Sequence, residues 1–243
     1  MLFPTISNTI GKSIANSAIE QFNKMIGNVV TDKNLQEALE KKEINNEGYP
    51  IDSSGNRTSD TPVLFKADLD RLYQDSIVYN ENLKNNQYTL LVDDYSYVNS
   101  SISLSDYGIY TGIYGYISAP TIDMQLPIYL GASNYNMSCG AAHLTYTSLP
   151  LGGESTNCVI AGHTGYFGRI FFDNIRNLSI GDEVRLTNFW YTINYKVVDT
   201  KIYKPNQSKV IFIDTNRDLL TMLTCISDGD GGFNRYCVIC ERS

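Results

Sequence analysis

The sequence is poor in positive charge, and this limits the partners it can bind. It has 19 Lys and Arg against 26 Asp and Glu, which gives a net charge of −7 and a pI near 4.8. Phosphate backbones bind surfaces with clustered Lys and Arg, so this balance predicts that nucleic acid is not a partner.

Long apolar runs are also missing. No run approaches the ~18 apolar residues of a membrane-spanning helix, and the N-terminus lacks the basic and apolar regions of a signal peptide. The chain starts with MLFPTISNTI, a short apolar segment followed by polar sequence. This start fits either a native terminus or the trimmed edge of an ectodomain.

Cysteines are few and do not follow a disulfide pattern. Disulfide scaffolds are usually short chains with an even, dense set of cysteines. This chain has an odd number with scattered spacing: Cys139, Cys158, Cys225, Cys237 and Cys240. At least one thiol is therefore unpaired within a monomer, which fits a chemical role, although a buried structural cysteine is the commoner case.

The first part of the chain has helical patterns. Apolar residues recur at helical spacing from about Asn8 to Glu43 and again between Pro62 and Asn86. The intervening residues from Asn45 to Pro62 have the Gly, Pro, Asn and Ser content of a linker. From Gln87 to Thr111 the chain is polar and rich in Tyr, and the pattern favours no regular structure.

From Gly112 onward the pattern changes to short β-type runs separated by turn residues. The nine runs are YGYISAPTI, QLPIYLG, AHLTYTS, NCVIAGH, DEVRLTNFW, YTINYKVVDTKIY, KVIFID, LLTMLTC and RYCVICER. One helical-looking segment, GRIFFDNIRNL, interrupts them. This pattern predicts a closed barrel or a sandwich. The expected organisation is a mainly β domain at residues 112–243, preceded by an N-terminal helical extension at residues 1–111.

Three polar residues at the ends of β-type runs are candidates for chemistry. His163, one of two histidines, ends an apolar run between glycines, and Cys225 ends another. Arg235 follows Cys225 by ten residues, across a loop of Asp and Gly. Acyl transfer needs such a set: a thiolate attacks a carbonyl, an imidazolium protonates the leaving amine, and a fixed cation stabilises the oxyanion.

Metal sites are the alternative use of these cysteines and acids. Cys237 and Cys240 lie three positions apart in a β-type run, which places them on opposite faces of a strand and disfavours zinc. The DGDGG segment lacks the third acidic position and the distal Glu of a calcium loop. We therefore predict no metal and no cofactor.

Several segments, in chain order, match a known family. LLTMLTC and FNRYCVI resemble the T-L-x-T-C strand and the following Arg-containing strand of sortases, the cysteine transpeptidases of Gram-positive cell surfaces. HLTYTSLPLGGESTNCVIAGHTG is similar to the segment of class C, or pilus-assembling, sortases that ends at the catalytic His. GYISAPTIDMQLPIYLG, FFDNIRNLSIGDEV and the N-terminal LFPTISN resemble further class C segments.

The resemblance implies a closed eight-stranded β-barrel and a role for each candidate residue. Cys225 would be the nucleophile that forms a thioacyl intermediate, and His163 the general acid and base. Arg235 would stabilise the oxyanion or orient the substrate. His143 matches a second, non-essential His of the family, so a structural role is expected for it.

The resemblance also implies substrates and a location. The enzyme would cleave an L-P-x-T-G type sorting motif between Thr and Gly and transfer the acyl group to an amine. That amine is a pilin lysine in class C, or a cell-wall cross-bridge amine in a housekeeping or class B-like enzyme. Expected partners are sorting-motif-bearing surface proteins or pilin subunits on the outer face of a Gram-positive membrane, with attachment through segments absent from this chain. A non-enzymatic extracellular β-barrel binding module, with Cys225 buried, is the alternative of another class.

Some segments depart from the class C pattern. Thr164 stands where class C members often have Arg, and Met222 replaces the usual Leu, a volume-conserving change. The loop ISDGDGGFN lacks the T-P-Y-G opening of class C and is similar in its glycine content to some class B members. The class C lid motif D-P-F/W corresponds here to VDDYSY, so the chain has either a degenerate lid at about residues 88–108, with Asp93 and Tyr95 as its candidate residues, or no lid at all.

Overall fold

Alternating apolar residues form the strands of a closed eight-stranded barrel. The structure is a computed structural model that describes residues 3–27, 37–46, 49–58, 67–90, 97–165, 169–205 and 207–243. The strands are β1 (Ile113–Ala119), β2 (Met124–Leu130), β3 (Ala141–His143), β4 (Thr156–Ala161), β5 (Glu183–Asn188), β6 (Thr192–Tyr203), β7 (Asp218–Ser227) and β8 (Phe233–Arg242). The predicted mainly β fold and barrel are confirmed.

The strand order brings distant parts of the sequence together. Around the barrel the order is β1-β2-β3-β4-β7-β8-β6-β5, and the β2–β3 and β4–β7 pairs are parallel while the others are antiparallel. Because β4 and β7 run side by side in the same direction, both end at the same rim of the barrel. β8 starts at that rim and β6 ends there.

The two faces of the sheet have separate cores. Inside the barrel, Cys158, Met222 and Cys240 pack in one apolar cluster. On the outer face of the same strands, Leu223 and Cys237 belong to a second cluster. Cys237 and Cys240 therefore lie on opposite faces, as the strand alternation predicts.

Helices cover one side of the barrel. They are α1 (Phe3–Gly27), α2 (Leu69–Leu90) and the short α3 (Asn134–Cys139). Phe22 of α1 and Leu72 of α2 pack with Tyr114 and Phe189 of the barrel in a third buried cluster. Helices lie in both regions with helical patterns: α1 accounts for the first part of the stretch from Asn8 to Glu43, and α2 starts at Leu69 rather than near Pro62 and continues to Leu90, into the stretch with no predicted structure. Within the described ranges, no helix is both long and apolar enough to cross a bilayer.

Three of the predicted β or helical segments differ in the structure. KVIFID is not a strand: Ser208–Ile211 form a 3-10 helix between β6 and β7. Ile211 packs in the outer apolar cluster and is 2% exposed, so its apolar character serves packing on the barrel wall rather than strand pairing. AHLTYTS pairs only over β3, and GRIFFDNIRNL has a single 3-10 turn at Ile175–Asn177.

Candidate active site

Cys225 is the exposed thiol of this chain. All five cysteines lie in the described ranges and are free, and of these Cys158, Cys237 and Cys240 are buried while Cys139 is partly exposed. Burial raises the pKa of Cys237 and of Cys240 to about 12 each. Buried thiols with raised pKa values are poor nucleophiles, so Cys225 is the thiol that a bulky substrate can reach best.

Strand register brings the three candidate residues to one level of the rim. In the parallel β4–β7 pair, Ala161 lies opposite Leu223, so His163 is level with Cys225 two residues further on. Across the antiparallel β7–β8 pair, Cys225 lies opposite Arg235. Side chains alternate along strands, so Cys225 and Arg235 share the outer face with Leu223. Arg235 therefore flanks Cys225 from β8, while His163 lies just past the end of β4, the neighbouring strand on the other side.

Arg235 contacts the thiol directly. Its Nη1 donates a hydrogen bond to the Sγ of Cys225 at 3.0 Å. A guanidinium remains protonated at all ordinary pH values and has several donors in one plane. Arg235 can therefore hold positive charge beside the sulfur and offer its other donors to an oxyanion formed next to it.

Tyr203 extends the row of polar residues at this rim (Cys225, His163 and Arg235), although the sequence pattern did not indicate it. Tyr203 ends β6 opposite Arg235 and lines the same groove as Cys225. Burial raises the pKa of its phenol far above the ordinary value, so the hydroxyl stays protonated and can donate a hydrogen bond. The sequence shows a Tyr at the end of a β run, but only the barrel order places that run beside β8.

The loop after β4 fixes the backbone around His163. A Cβ on Gly162 would lie 2.6 Å from the ring of Phe172, so glycine here allows that ring to pack against the chain. The Phe172 N–H donates to the His163 carbonyl at 3.0 Å, and the Asp173 carboxylate accepts from the Gly165 N–H at 2.7 Å. Partial burial lowers the pKa of His163 below its ordinary value, which favours the neutral imidazole at neutral pH.

Thr164 connects this loop to β7, the strand that contains Cys225. Its hydroxyl is 2.5 Å from the hydroxyl of Thr224, which in turn donates to the Gly162 carbonyl at 2.7 Å. The Gly162 N–H donates to the Leu223 carbonyl at 3.0 Å. The residues on both sides of His163 are thus bonded to the two residues that precede Cys225. Thr164, which stands where class C members often have Arg, is therefore hydrogen-bonded to the strand that contains Cys225.

An apolar groove of about 140 Å³ lies beside the thiol on the outer face of the barrel. Its lining residues are Tyr97, Leu144, Ala161, Tyr203, Pro205, Ile211, Leu223, Cys225 and Arg235. The Leu144 N–H donates to the Val159 carbonyl at 2.9 Å. Because Val159 precedes His163 by four residues, Leu144 lies ~13 Å below the rim. The groove therefore extends from Cys225 over the length of several residues of an extended peptide.

His143 has a different environment from His163. It is 0% exposed, and its Nε2 is 3.0 Å from the Ser148 carbonyl and 3.2 Å from the Thr147 carbonyl. Its Nδ1 is 3.3 Å from the Ser101 hydroxyl. Burial lowers the pKa of His143 to about 4. His143 is a neutral, hydrogen-bonded residue of the interior, in line with the structural role expected for it.

The remaining sequence candidates concern the lid and metals. Asp93 and Tyr95 lie outside the described residues. The next described residue, Tyr97, accepts the Ala132 N–H at 2.7 Å through its carbonyl and lines the groove. Within the described part of the chain, no three His, Cys, Asp or Glu side chains are grouped in a way that could hold a metal ion.

Comparison with known proteins shows which family has this fold. The family model of the sortase domain matches residues 117–243. Sortase A of Bacillus anthracis is 28% identical over 126 residues, which cover 52% of this chain and 58% of that protein. The X-ray structure of Clostridium perfringens sortase C with the C-terminal cell wall sorting motif has a TM-score of 0.66 at 27% identity, over 94% of this chain and 99% of that one. The pilus-related sortase C of Group B Streptococcus has a TM-score of 0.62 at 30% identity, over 72% and 89%.

The family match covers the barrel from within β1 onward, together with the row of polar residues at its rim. It spans more than half of the 243 residues and includes His163, Cys225 and Arg235. The chain covers between 49% and 65% of the lengths of its sortase A and sortase D relatives. On the family match, this chain belongs to the sortase family.

Proposed function

We propose that the protein is a cysteine transpeptidase that cleaves an L-P-x-T-G type sorting motif and joins the new carbonyl end to an amine. The observation that supports this most is the hydrogen bond of 3.0 Å from Arg235 to the exposed Cys225. It lies at the end of an apolar groove, with His163 level with the thiol on the other side. No cofactor is required for this chemistry.

In the first step, neutral His163 takes the proton of the Cys225 thiol, and the resulting thiolate attacks the carbonyl carbon of the motif's Thr. The new C–S bond places a negative charge on the carbonyl oxygen, and Arg235 donates to it. The C–N bond to Gly then breaks, and protonated His163 transfers its proton to the leaving amine. The products are a thioacyl enzyme and a free Gly-started peptide.

In the second step, neutral His163 accepts a proton from the incoming amine while the amine nitrogen attacks the thioester carbonyl. The C–S bond breaks, the thiolate re-forms, and an isopeptide or peptide bond remains. Arg235 stabilises the second oxyanion from the same position. The same three side chains therefore serve both half-reactions.

The groove fits the donor part of such a motif. In an extended peptide, the Leu of L-P-x-T-G lies three residues before Thr, or ~10 Å from it. Leu144, which lies ~13 Å below the rim, lines the groove together with Ile211. We propose that the Leu side chain of the motif packs against this apolar end.

For the acceptor, we propose a pilin lysine, as in a pilus-assembling enzyme. Similarity to a class C structure over 94% of the chain supports this subclass. The Gly-rich loop between Cys225 and Arg235 favours the second candidate, a class B-like enzyme that uses a cross-bridge amine. In either case residues 112–243 would be the catalytic domain and residues 1–111 an extension, on the outer surface of a Gram-positive cell.

One assay tests the proposal and separates the two acceptors. The protein is incubated with a fluorogenic sorting-motif peptide and, in parallel, with a pilin-derived lysine peptide or an oligoglycine amine. We expect cleavage and a ligated product with the lysine peptide, and neither in Cys225→Ala. Ligation to oligoglycine alone would favour the cross-bridge enzyme. Cleavage that persists in Cys225→Ala would overturn the catalytic assignment.

A further inference from the structure

Helix α2 has an unusual buried face that the proposed chemistry does not use. Ser76, Asn80 and Gln87 face the barrel and are 0%, 5% and 3% exposed. Buried polar side chains are costly unless they are hydrogen-bonded, so each should have a defined partner. Asn80 is hydrogen-bonded to one segment of the barrel, whereas Gln87 is hydrogen-bonded to two.

Asn80 bonds one segment of the barrel only. Its Oδ1 accepts the Leu149 N–H at 2.7 Å, and its Nδ2 lies 3.5 Å from the Leu149 carbonyl. Leu149 belongs to the β3–β4 connection and does not line the groove. Asn80 therefore fastens α2 to the barrel without touching the groove walls.

Gln87 instead bridges two segments that both lead to the groove. Its Nε2 donates to the Tyr146 carbonyl at 3.0 Å, and its Oε1 accepts the Ile213 N–H at 2.8 Å. Leu144 lies two residues before Tyr146 in the sequence, and Ile211 lies two residues before Ile213. Both Leu144 and Ile211 line the groove. These two hydrogen bonds, which we call the Gln87 clasp, connect the β3–β4 wall of the groove to the β6–β7 wall.

Two further residues hold the β6–β7 wall in the same place. Asn157 of β4 donates from Nδ2 to the Val210 carbonyl at 3.3 Å and to the Phe212 carbonyl at 3.0 Å. From the α2 side, the ring of Tyr88 stacks on Phe212, with 4.3 Å between centroids and an interplanar angle of 17°. The wall segment is thus bonded from the barrel by Asn157 and from the helix by Gln87.

We infer that Gln87 is a positioning residue for the donor peptide, because the clasp sets the separation of the two groove walls at the end remote from Cys225. This inference depends on the proposed function for the identity of the peptide. It assigns a role in substrate binding to α2, which lies outside the family match at residues 117–243. The reacting groups lie at the rim, ~13 Å from Leu144, so the clasp should affect binding of the motif's Leu and leave the chemical step nearly unchanged.

The test compares Gln87→Leu with the matched variant Asn80→Leu, which removes a buried amide from the same face of the same helix. For both variants, KM and kcat are measured with L-P-x-T-G and A-P-x-T-G peptides. Peptide affinity is also measured in a Cys225→Ala background, where no turnover is needed. Hydrogen exchange of residues 209–214 reports directly on the clasp. Tyr88→Ala is a milder variant for the case that Gln87→Leu does not fold.

We expect Gln87→Leu to raise KM and Kd for the Leu peptide by about 5- to 20-fold, with kcat within about 2-fold of wild type. Its preference for Leu over Ala should shrink, and exchange at residues 209–214 should rise. Asn80→Leu should change stability but not these values. The role proposed for the Gln87 clasp would be overturned if both variants raised KM equally. It would also be overturned if Gln87→Leu left both the peptide Kd and the hydrogen exchange of residues 209–214 unchanged. Binding without cleavage by the unmodified protein would instead contradict the proposed function.

Discussion

Arg235 donates to the sulfur of Cys225 at 3.0 Å from the next strand of the barrel. If it stabilises the oxyanion, Arg235→Ala should lower kcat by about 10²- to 10³-fold, with a smaller effect on KM. The kcat of Arg235→Lys should fall between those of wild type and Arg235→Ala, because lysine keeps the charge but lacks the planar donors. Steady-state rates with a fluorogenic motif peptide measure this.

A matched control for Arg235 lies on the same strand. Arg242, at the other end of β8, pairs with Asp218 at 3.3 Å and is remote from the groove. Arg242→Ala should keep kcat within about 2-fold of wild type, because Arg242 lies at the opposite end of β8 from Cys225 and Arg235. Wild-type kcat in Arg235→Ala would exclude the oxyanion role.

The pH dependence of the reaction should report on His163. Partial burial lowers the pKa of this imidazole below its ordinary value near 6.5. When both groups of the Cys–His pair are protonated, the thiol is not nucleophilic. The value of kcat/KM therefore rises with pH as the pair loses one proton. The acid limb of kcat/KM should therefore have an apparent pKa below 6.5 and should vanish in His163→Gln, with rates lower by about 10²- to 10⁴-fold. An acid limb retained in His163→Gln would assign it to another group.

Thr164 should position His163 through its hydrogen bond to Thr224. Thr164→Val, which keeps the shape but removes the hydroxyl, should lower kcat by about 3- to 10-fold with KM unchanged. Thr164→Ser should restore the rate. Thr187 and Thr192 form a similar hydroxyl pair at 2.8 Å on β5 and β6, so Thr187→Val is the control. Equal effects of the two valine variants would indicate a general loss of stability.

His143 should make the fold sensitive to acid. Its pKa is lowered to about 4 by burial, whereas an unfolded His titrates near 6.5. Between these values the unfolded state binds more protons, so stability falls as the pH falls from 6.5 towards 4. From pH 7 to pH 4.5 the unmodified protein should lose about 2–3 kcal/mol more unfolding free energy than His143→Gln. Urea unfolding at both pH values measures this, and parallel losses in the two proteins would contradict it.

The candidate catalytic residues could be proposed from the sequence because each lies at the end of an apolar run. A short run defines its own strand, and the position of Cys225, His163 or Arg235 at its end is a local property. The local pattern misled at KVIFID, since apolar β-branched residues also suit a segment that packs on the outside of a barrel. Ile211 there is buried without being in a strand.

Relationships between distant strands could not be predicted in this way. Tyr203 joins the row at the rim only because β6 lies next to β8. Gln87 reaches Ile213 across 126 positions of sequence, and Thr164 reaches Thr224 across 60. Such contacts depend on the order of strands around the barrel, which no single periodic segment specifies.

The most direct test of the account is to identify the covalent intermediate. The protein is incubated with a sorting-motif peptide in the absence of an amine, and intact mass followed by peptide mapping locates the adduct. We predict a thioacyl adduct on Cys225 that hydroxylamine releases, that persists in Cys139→Ala, and that is absent in Cys225→Ala. An adduct on Cys139, or motif cleavage in Cys225→Ala, would contradict the assignment of Cys225 as the nucleophile.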